Sequence, residues 1–119
     1  MSIAQLIDQI HSEPENLMFE QVMETIAAHY DYTPTGFSNG IGETKVVNEA
    51  GTNEGSCKVF AFAQMNDLTR QDTLICFGQY YRDVLNTPGG SDHANIRNFM
   101  RHGWDGIHFD SSPLSEKSS

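Results

Sequence analysis

The stretch Ala50–Gln64, AGTNEGSCKVFAFAQ, decides the fold class, because a polar, glycine-containing segment changes there into a dense apolar run. An alternating strand pattern and a helical pattern fit residues 57–65 about equally well. Ser56 as an N-cap, the alanines within the run and its length of about ten residues favour a helix. We therefore predict a mainly α domain of about five helices. The alternative is an α+β domain, if residues 57–65 form a strand.

Apolar residues recur at helical spacing on both sides of this stretch. The four stripes are Ile3, Leu6, Ile7, Ile10; Phe19, Val22, Met23, Ile26, Tyr30; Leu74, Phe77, Gly78, Tyr81, Leu85; and Ile96, Phe99, Met100. Spacings of three and four residues place each stripe on one helix face. A capping box of Ser12 and Glu15 is expected to start the second helix. Thr69 is expected to start a single helix that runs to the NTPGG segment, and Ser91 or Asp92 the last helix.

The segment between the second stripe and Ser56 has a different composition. From Tyr32 to Ser56 it contains five glycines, three asparagines and one proline, with only scattered apolar anchors. A loop of this length in a small domain is usually functional or disordered. Because apolar anchors occur along it, we predict a long ordered loop over residues 32–55, with a short hairpin within it as an alternative. We assign residues 1–110 to one domain and expect the polar residues 111–119 to form a frayed tail.

The bulk composition excludes several classes of function. Sixteen acidic against seven basic residues give a net charge of -9, which should repel nucleic acids and anionic lipids. The longest apolar run, Val59–Ala63, is far shorter than the roughly 20 residues that span a bilayer. The first ten residues, MSIAQLIDQI, lack the basic and apolar regions of a Sec signal. We therefore expect a soluble cytoplasmic protein with reduced thiols, no nucleic acid partner and no membrane partner.

Four segments together resemble one family, the HopJ type III effector proteins: HYDYTPTGFSNG, AGTNEGSCKVFAFAQ, TLICFGQYYRDVL and DHANIRNFMRHGWDGIHF. The resemblance covers about residues 19–110. It implies a bacterial protein that a type III system secretes into a host cell, where it acts through a host protein partner. It implies no catalytic activity and no cofactor. The helix expected over residues 3–10 differs from the serine-rich, disordered leaders of typical secreted effectors.

Two side chains are candidates for catalysis, Cys57 and His93. Cys57 is expected in the first turn of the third helix, where the helix dipole and Lys58 favour a thiolate. His93 is expected in the first turn of the last helix, where a neutral imidazole could act as a base. Together they would make a thiol hydrolase or transferase. The alternative, which we favour, is that Cys57 packs in the core, since free cysteine is among the most often buried residues.

The candidate ligand-binding residues are polar or basic: Asn53, Glu54, Ser56, Arg97 and Arg82. Arg97 and Arg101 follow His93 at helical spacing, and such a cationic face could hold a small anionic ligand through a carboxylate or phosphate. The alternative is that these arginines form ion pairs with nearby acids such as Asp92. The five histidines lack the spacing of a zinc site, so we expect no metal and no cofactor.

Two functional hypotheses follow from these residues. The first is a HopJ-like protein that acts through a protein partner. The second is a cytoplasmic small-ligand-binding protein or thiol enzyme. Its pocket would be built from five residues: Asn53, Glu54, Cys57, His93 and Arg97.

Overall fold

This computed structural model describes residues 1–117 of the chain. These residues contain six α-helices and five short strands. The helices are Ile3–Ser12 (α1), Phe19–His29 (α2), Glu54–Met65 (α3), Arg70–Ile75 (α4), Gln79–Asn86 (α5) and Ala94–His102 (α6). The strands are Tyr30–Tyr32 (β1), Phe37–Asn39 (β2), Val46–Asn48 (β3), His108–Phe109 (β4) and Leu114–Glu116 (β5). Residues 57–65 are helical, as predicted. The strands lie elsewhere, so the mainly α prediction is corrected to α+β.

Two small antiparallel sheets account for the strand content. One has the strand order β3-β2-β4, in which Phe37 pairs with Asn48 on one side and Phe109 on the other. The predicted loop 32–55 is therefore ordered but contains two strands, because the buried Phe37 anchors it to the core. In the other sheet β1 pairs with β5. Leu114–Glu116 is thus paired rather than frayed, whereas residues 118–119 of the predicted tail lie outside the described residues.

Helix α3 runs through the centre of the core. Its residues Val59–Ala63 are all buried. Phe60 is fully buried, and its ring packs against those of four other aromatic residues: Phe37, Phe77, Phe99 and Trp104. A helix that is covered on all sides has no polar face. For this reason the sequence of the run did not distinguish a helix from a buried strand.

The single helix predicted from Thr69 is two helices, α4 and α5. Thr69 caps α4 as predicted, but the chain turns at Gly78, which has φ +57°. A Cβ atom at this position would collide with the backbone nitrogen of Phe19. The break also rotates the following residues, so Leu85 is 52% exposed instead of sharing the predicted buried stripe.

The observed helix starts differ from the predicted ones at two further places. The capping box lies at Ser2 and Gln5, whereas Ser12 is the last residue of α1 and donates its hydroxyl to the Asp8 carbonyl. Helix α6 starts after His93, not after Ser91 or Asp92. Within residues 1–117 no helix has the length and apolar character required to cross a membrane.

Candidate functional site

The starts of α3 and α6 meet at one open cavity of about 350 Å³, which we call the two-helix cleft. Its lining combines both helix starts with an aromatic wall and one strand residue: Asn53, Gly55, Ser56; His93, Ala94, Asn95, Ile96; Phe19, Phe77, Tyr80; and Val46. Three of the predicted site residues, Asn53, Ser56 and His93, therefore lie at the same cavity. His93 is about 40 residues away in sequence from Asn53 and Ser56, and the packing of the two helices brings it to them.

Both helix starts have the same unusual backbone geometry. Asn53 and His93 precede the helices in the left-handed conformation, with φ of 49° and 51°. Neither side chain caps its helix. The first intrahelical bonds are donated by the Cys57 and Arg97 N–H groups, to the carbonyls of Asn53 and His93. The N–H groups of residues 54–56 and 94–96 therefore lie at the positive ends of the two helix dipoles and have no side-chain cap.

An aromatic wall forms one side of the two-helix cleft. The ring of Tyr80 lies 5.2 Å from that of Phe19 and 5.6 Å from that of His93, measured between centroids. Tyr80 is 37% exposed, so a ligand in the cleft can reach its ring. A Cβ atom on Gly55 would lie 2.6 Å from the Phe19 ring, which explains the glycine at this position of α3.

Behind the cleft, buried asparagine side chains connect the two helix starts. The Asn48 Oδ1 atom accepts hydrogen bonds from Asn53 Nδ2 at 2.7 Å and from Asn95 Nδ2 at 3.0 Å. Asn39 Nδ2 donates to Asn95 Oδ1 at 3.0 Å. Sequence reasoning missed Asn39, Asn48 and Asn95. The only signal for Asn39 and Asn48 was the recurrence of asparagine in a glycine-rich segment, which is equally typical of turns, and Asn95 in α6 had no local signal.

Cys57 does not line the two-helix cleft. It is 1% exposed, as predicted for a packed thiol, and its Sγ donates to the Thr35 carbonyl oxygen at 3.6 Å. Burial raises the pKa of Cys57 to about 11; Glu54 adds to the increase and Lys58 opposes it. The thiolate expected from the helix dipole is therefore disfavoured, because desolvation outweighs it. The predicted Cys57–His93 pair is not formed, since His93 packs beside Tyr80 instead.

The predicted arginines have structural partners. Arg97 is 8% exposed and bonds Asp92 Oδ1 at 2.7 Å and the Thr87 carbonyl at 2.9 Å, so it ties the start of α6 to the segment after α5. The Arg97 hydrogen bond holds the pKa of Asp92 below its usual value. Arg82 donates to the Leu17 carbonyl at 2.9 Å. Neither guanidinium lines the cleft. The geometry therefore favours the alternative, in which these arginines bond to partners within the protein rather than to a ligand.

Glu54 also lies outside the cleft, next to Tyr32. Burial raises the pKa of Tyr32 above its ordinary value, and the Glu54 carboxylate adds to this increase. Lys58 lies over the ring of Tyr32, with its Nζ 4.6 Å from the ring centroid. Among residues 1–117, no three His, Cys, Asp or Glu side chains are grouped so that they could hold a metal ion.

Comparison with known proteins gives one family and one similar structure. A model of the HopJ type III effector proteins matches residues 3–114. The crystal structure of VPA0580, a protein of unknown function, is 47% identical in sequence and superposes with a TM-score of 0.91. The match covers 98% of this chain and 95% of VPA0580. No curated protein is significantly similar in sequence.

Proposed function

Because the chain belongs to the HopJ type III effector protein family, we propose that it is an effector-like binding protein whose ligand site is the two-helix cleft. The ligand is a small molecule or group that carries a phosphate or carboxylate next to a planar ring. The observation that carries this proposal is the convergence of two uncapped helix starts on a cavity with an aromatic wall.

The electrostatics of the cleft support an anionic ligand. The net charge of -9 makes most of the surface unfavourable for an anion. At the cleft, the free N–H groups of α3 and α6 supply hydrogen-bond donors and partial positive charge from two directions. The Ser56 hydroxyl and the His93 ring lie at the same cavity and add side-chain groups that can donate to an oxyanion.

The aromatic wall supports a planar group on the same ligand. The aromatic residues Phe19, Phe77 and Tyr80 also line the cavity. They differ in chemical character from the polar helix starts. Pockets for small molecules commonly combine apolar and aromatic walls with a few polar groups that fix the orientation of the ligand. A ring would stack against Tyr80 while its anionic substituent meets the N–H groups.

Binding is supported better than catalysis by the same geometry. The thiol enzyme hypothesis requires an accessible Cys57 thiolate, but this side chain is buried and its pKa is about 11. Ser56 and His93 share the cleft, yet within residues 1–117 no hydrogen bond joins the Ser56 hydroxyl to the His93 ring. A serine nucleophile needs such a contact with its base.

A thermal-shift experiment tests the ligand class with defined probes. Phosphate, phenyl phosphate and benzyl alcohol are added at matched ionic strength. We expect phenyl phosphate to raise the melting temperature most, phosphate less and benzyl alcohol least, because only the first satisfies both parts of the cleft. His93→Ala should reduce the effect of phenyl phosphate. His108→Ala, which replaces an exposed histidine of β4, is the matched control. Equal shifts in both variants, or no shift in the wild-type protein, would contradict the proposal.

Secretion into a host cell and action on a host protein are proposed on the ground of family membership. A translocation reporter fused to the full chain tests secretion. We expect the reporter signal in host cells exposed to bacteria with a working type III system, and none with a secretion-deficient strain. A signal that is the same with both strains would contradict type III delivery.

A further inference from the structure

We infer that Asn48 is a positioning residue that couples the starts of α3 and α6 and thereby sets the arrangement of N–H groups in the two-helix cleft. The coupling itself is independent of the ligand. Its consequence for binding rests on the proposed function.

The coupling consists of hydrogen bonds from one buried side chain to three elements. Asn48 is 2% exposed. Its Oδ1 accepts from Asn53, which precedes α3, and from Asn95 in the first turn of α6. Its Nδ2 donates to Asn95 Oδ1 at 3.2 Å and to the Phe37 carbonyl of β2 at 3.3 Å. One amide therefore fixes both helix starts relative to the sheet.

The same contacts keep the α3 start open. A side chain at the N-cap position usually accepts a bond from the N–H of the second or third helical residue. The Asn53 amide instead donates to Asn48, and the left-handed backbone at Asn53 is compatible with this arrangement. The free N–H groups at Gly55 and Ser56 thus depend on a residue that does not itself line the cleft. This is the sense in which Asn48 positions the site.

Asn98 provides a matched comparison on the same helix. It is 4% exposed and donates to the Asn39 carbonyl at 3.1 Å and the Thr44 carbonyl at 2.6 Å. It therefore anchors α6 to β2 and its neighbouring turn, but it makes no hydrogen bond to α3. We expect replacement of either Asn98 or Asn48 to lower stability, but only replacement of Asn48 to release the α3 start.

The test compares Asn48→Ala with Asn98→Ala in the full chain. Two quantities are measured: the dissociation constant for phenyl phosphate, and the amide hydrogen exchange rates of Cys57 and Arg97. In Asn48→Ala we expect affinity at least about tenfold weaker and faster exchange at both amides. In Asn98→Ala we expect an affinity within about twofold of the wild type and unchanged exchange at Cys57. Unchanged exchange at Cys57 in Asn48→Ala, or unchanged affinity, would overturn the inference.

Asn53→Gly is the second variant in case Asn48→Ala does not fold. Asn53 is exposed, and glycine accepts the left-handed backbone, so the substitution removes the bond to Asn48 and one cleft side chain without backbone strain. The exchange rate at Cys57 is therefore the deciding measurement for this variant. We expect faster exchange at Cys57 and weaker binding of phenyl phosphate. Unchanged exchange at Cys57 would overturn the inference here too. If the wild-type protein binds no phenyl phosphate, the proposed function fails, and the exchange rates alone decide the role of Asn48.

Discussion

Two pairs of helices in this protein start in different ways. At α1, the Ser2 hydroxyl accepts from the Gln5 N–H at 3.0 Å, and the Gln5 side chain accepts from the Ser2 N–H at 2.7 Å. At α4, the Thr69 hydroxyl accepts from the Asp72 N–H at 3.1 Å. The starts of α3 and α6 have no side-chain cap and face the two-helix cleft.

The difference shows where local and long-range interactions hold a helix start. The capped starts satisfy their N–H groups with a side chain three residues away, which stabilises the helix within one turn. The uncapped starts are fixed by Asn48, which is 47 residues from Asn95, so their N–H groups stay available. The capped starts of α1 and α4 serve stability, and the uncapped starts of α3 and α6 at the cleft are suited to binding.

The largest expected effect is at Gly78, where α5 starts without a cap because no side chain fits. Gly78→Ala would force a Cβ against the backbone of Phe19 and place alanine at φ +57°. Left-handed strain and overpacking each cost about 1–3 kcal/mol, so we expect unfolding by urea to show a loss of about 3 kcal/mol. Gly89→Ala is the control, because nothing lies within 4 Å of its Cβ position. Similar losses in both variants would show that the close approach at Gly78 is not responsible.

The second prediction concerns Cys57, which lies in the first turn of the uncapped helix α3. With a pKa of about 11, far less of the thiol is ionised at pH 7 than of free cysteine, whose pKa is about 8.5. We expect iodoacetamide to label native Cys57 at least about 100-fold more slowly than free cysteine. Labelling that is faster than that of free cysteine would mean that the helix dipole outweighs burial.

The raised pKa of Cys57 also predicts that the protein loses stability as pH rises. The folded protein retains the Cys57 proton at pH values where the unfolded chain has lost it. The contribution of Cys57 to the free energy of unfolding is therefore fully present below the unfolded pKa of about 8.5. It is lost as pH rises through the folded pKa of about 11. Urea unfolding of wild-type protein and Cys57→Ala between pH 8 and 11 measures it. A wild-type curve that does not fall more steeply than that of the variant would contradict the shift.

The helix starts also show which structural features can be predicted from local sequence and which cannot. Thr69 was predicted as a cap because capping depends on a side chain and an N–H group three residues apart. Helix α3 was predicted from Ser56 and its length, although the N-cap is Asn53. The break at Gly78 was missed because it depends on the approach of Phe19, which is 59 residues away. Strands β2 and β3 were anticipated only as an alternative, a short hairpin without assigned residues, because the register of short strands is set by tertiary packing.

The candidate site was predicted only in part, again for reasons of distance along the chain. Asn53, Ser56 and His93 were identified because polar residues at helix starts are recognisable locally. Arg97 and Cys57 were placed in the same pocket because sequence spacing does not reveal which way a buried side chain points. The Asn48 contacts to Asn53 and Asn95 depend on the relative position of β3 and α6, for which the sequence contains no local signal.

The next prediction adds a carboxylate to an uncapped start. In His93→Asp, aspartate tolerates the left-handed backbone and can pair with the free N–H groups of α6. It therefore competes with an anionic ligand, and we expect the affinity for phenyl phosphate to fall at least about tenfold while the free energy of unfolding is maintained or rises. Gln64→Glu adds the same charge on the exposed surface at the other end of α3 and should leave affinity nearly unchanged. Equal weakening in both variants would point to net charge instead of the cleft.

The smallest expected effect compares the two hydroxyls at a capped and an uncapped start. Thr69→Ala removes the bond to the Asp72 N–H, so urea unfolding should show a loss of about 1 kcal/mol with no change in affinity for phenyl phosphate. Ser56→Ala removes a hydroxyl that lines the cleft but caps no helix, so stability should change by less than about 0.5 kcal/mol while affinity falls. The two losses are expected in different measurements because one hydroxyl bonds its own helix and the other is free for a ligand. If Ser56→Ala lost stability and kept its affinity, the α3 start would be structural like that of α4.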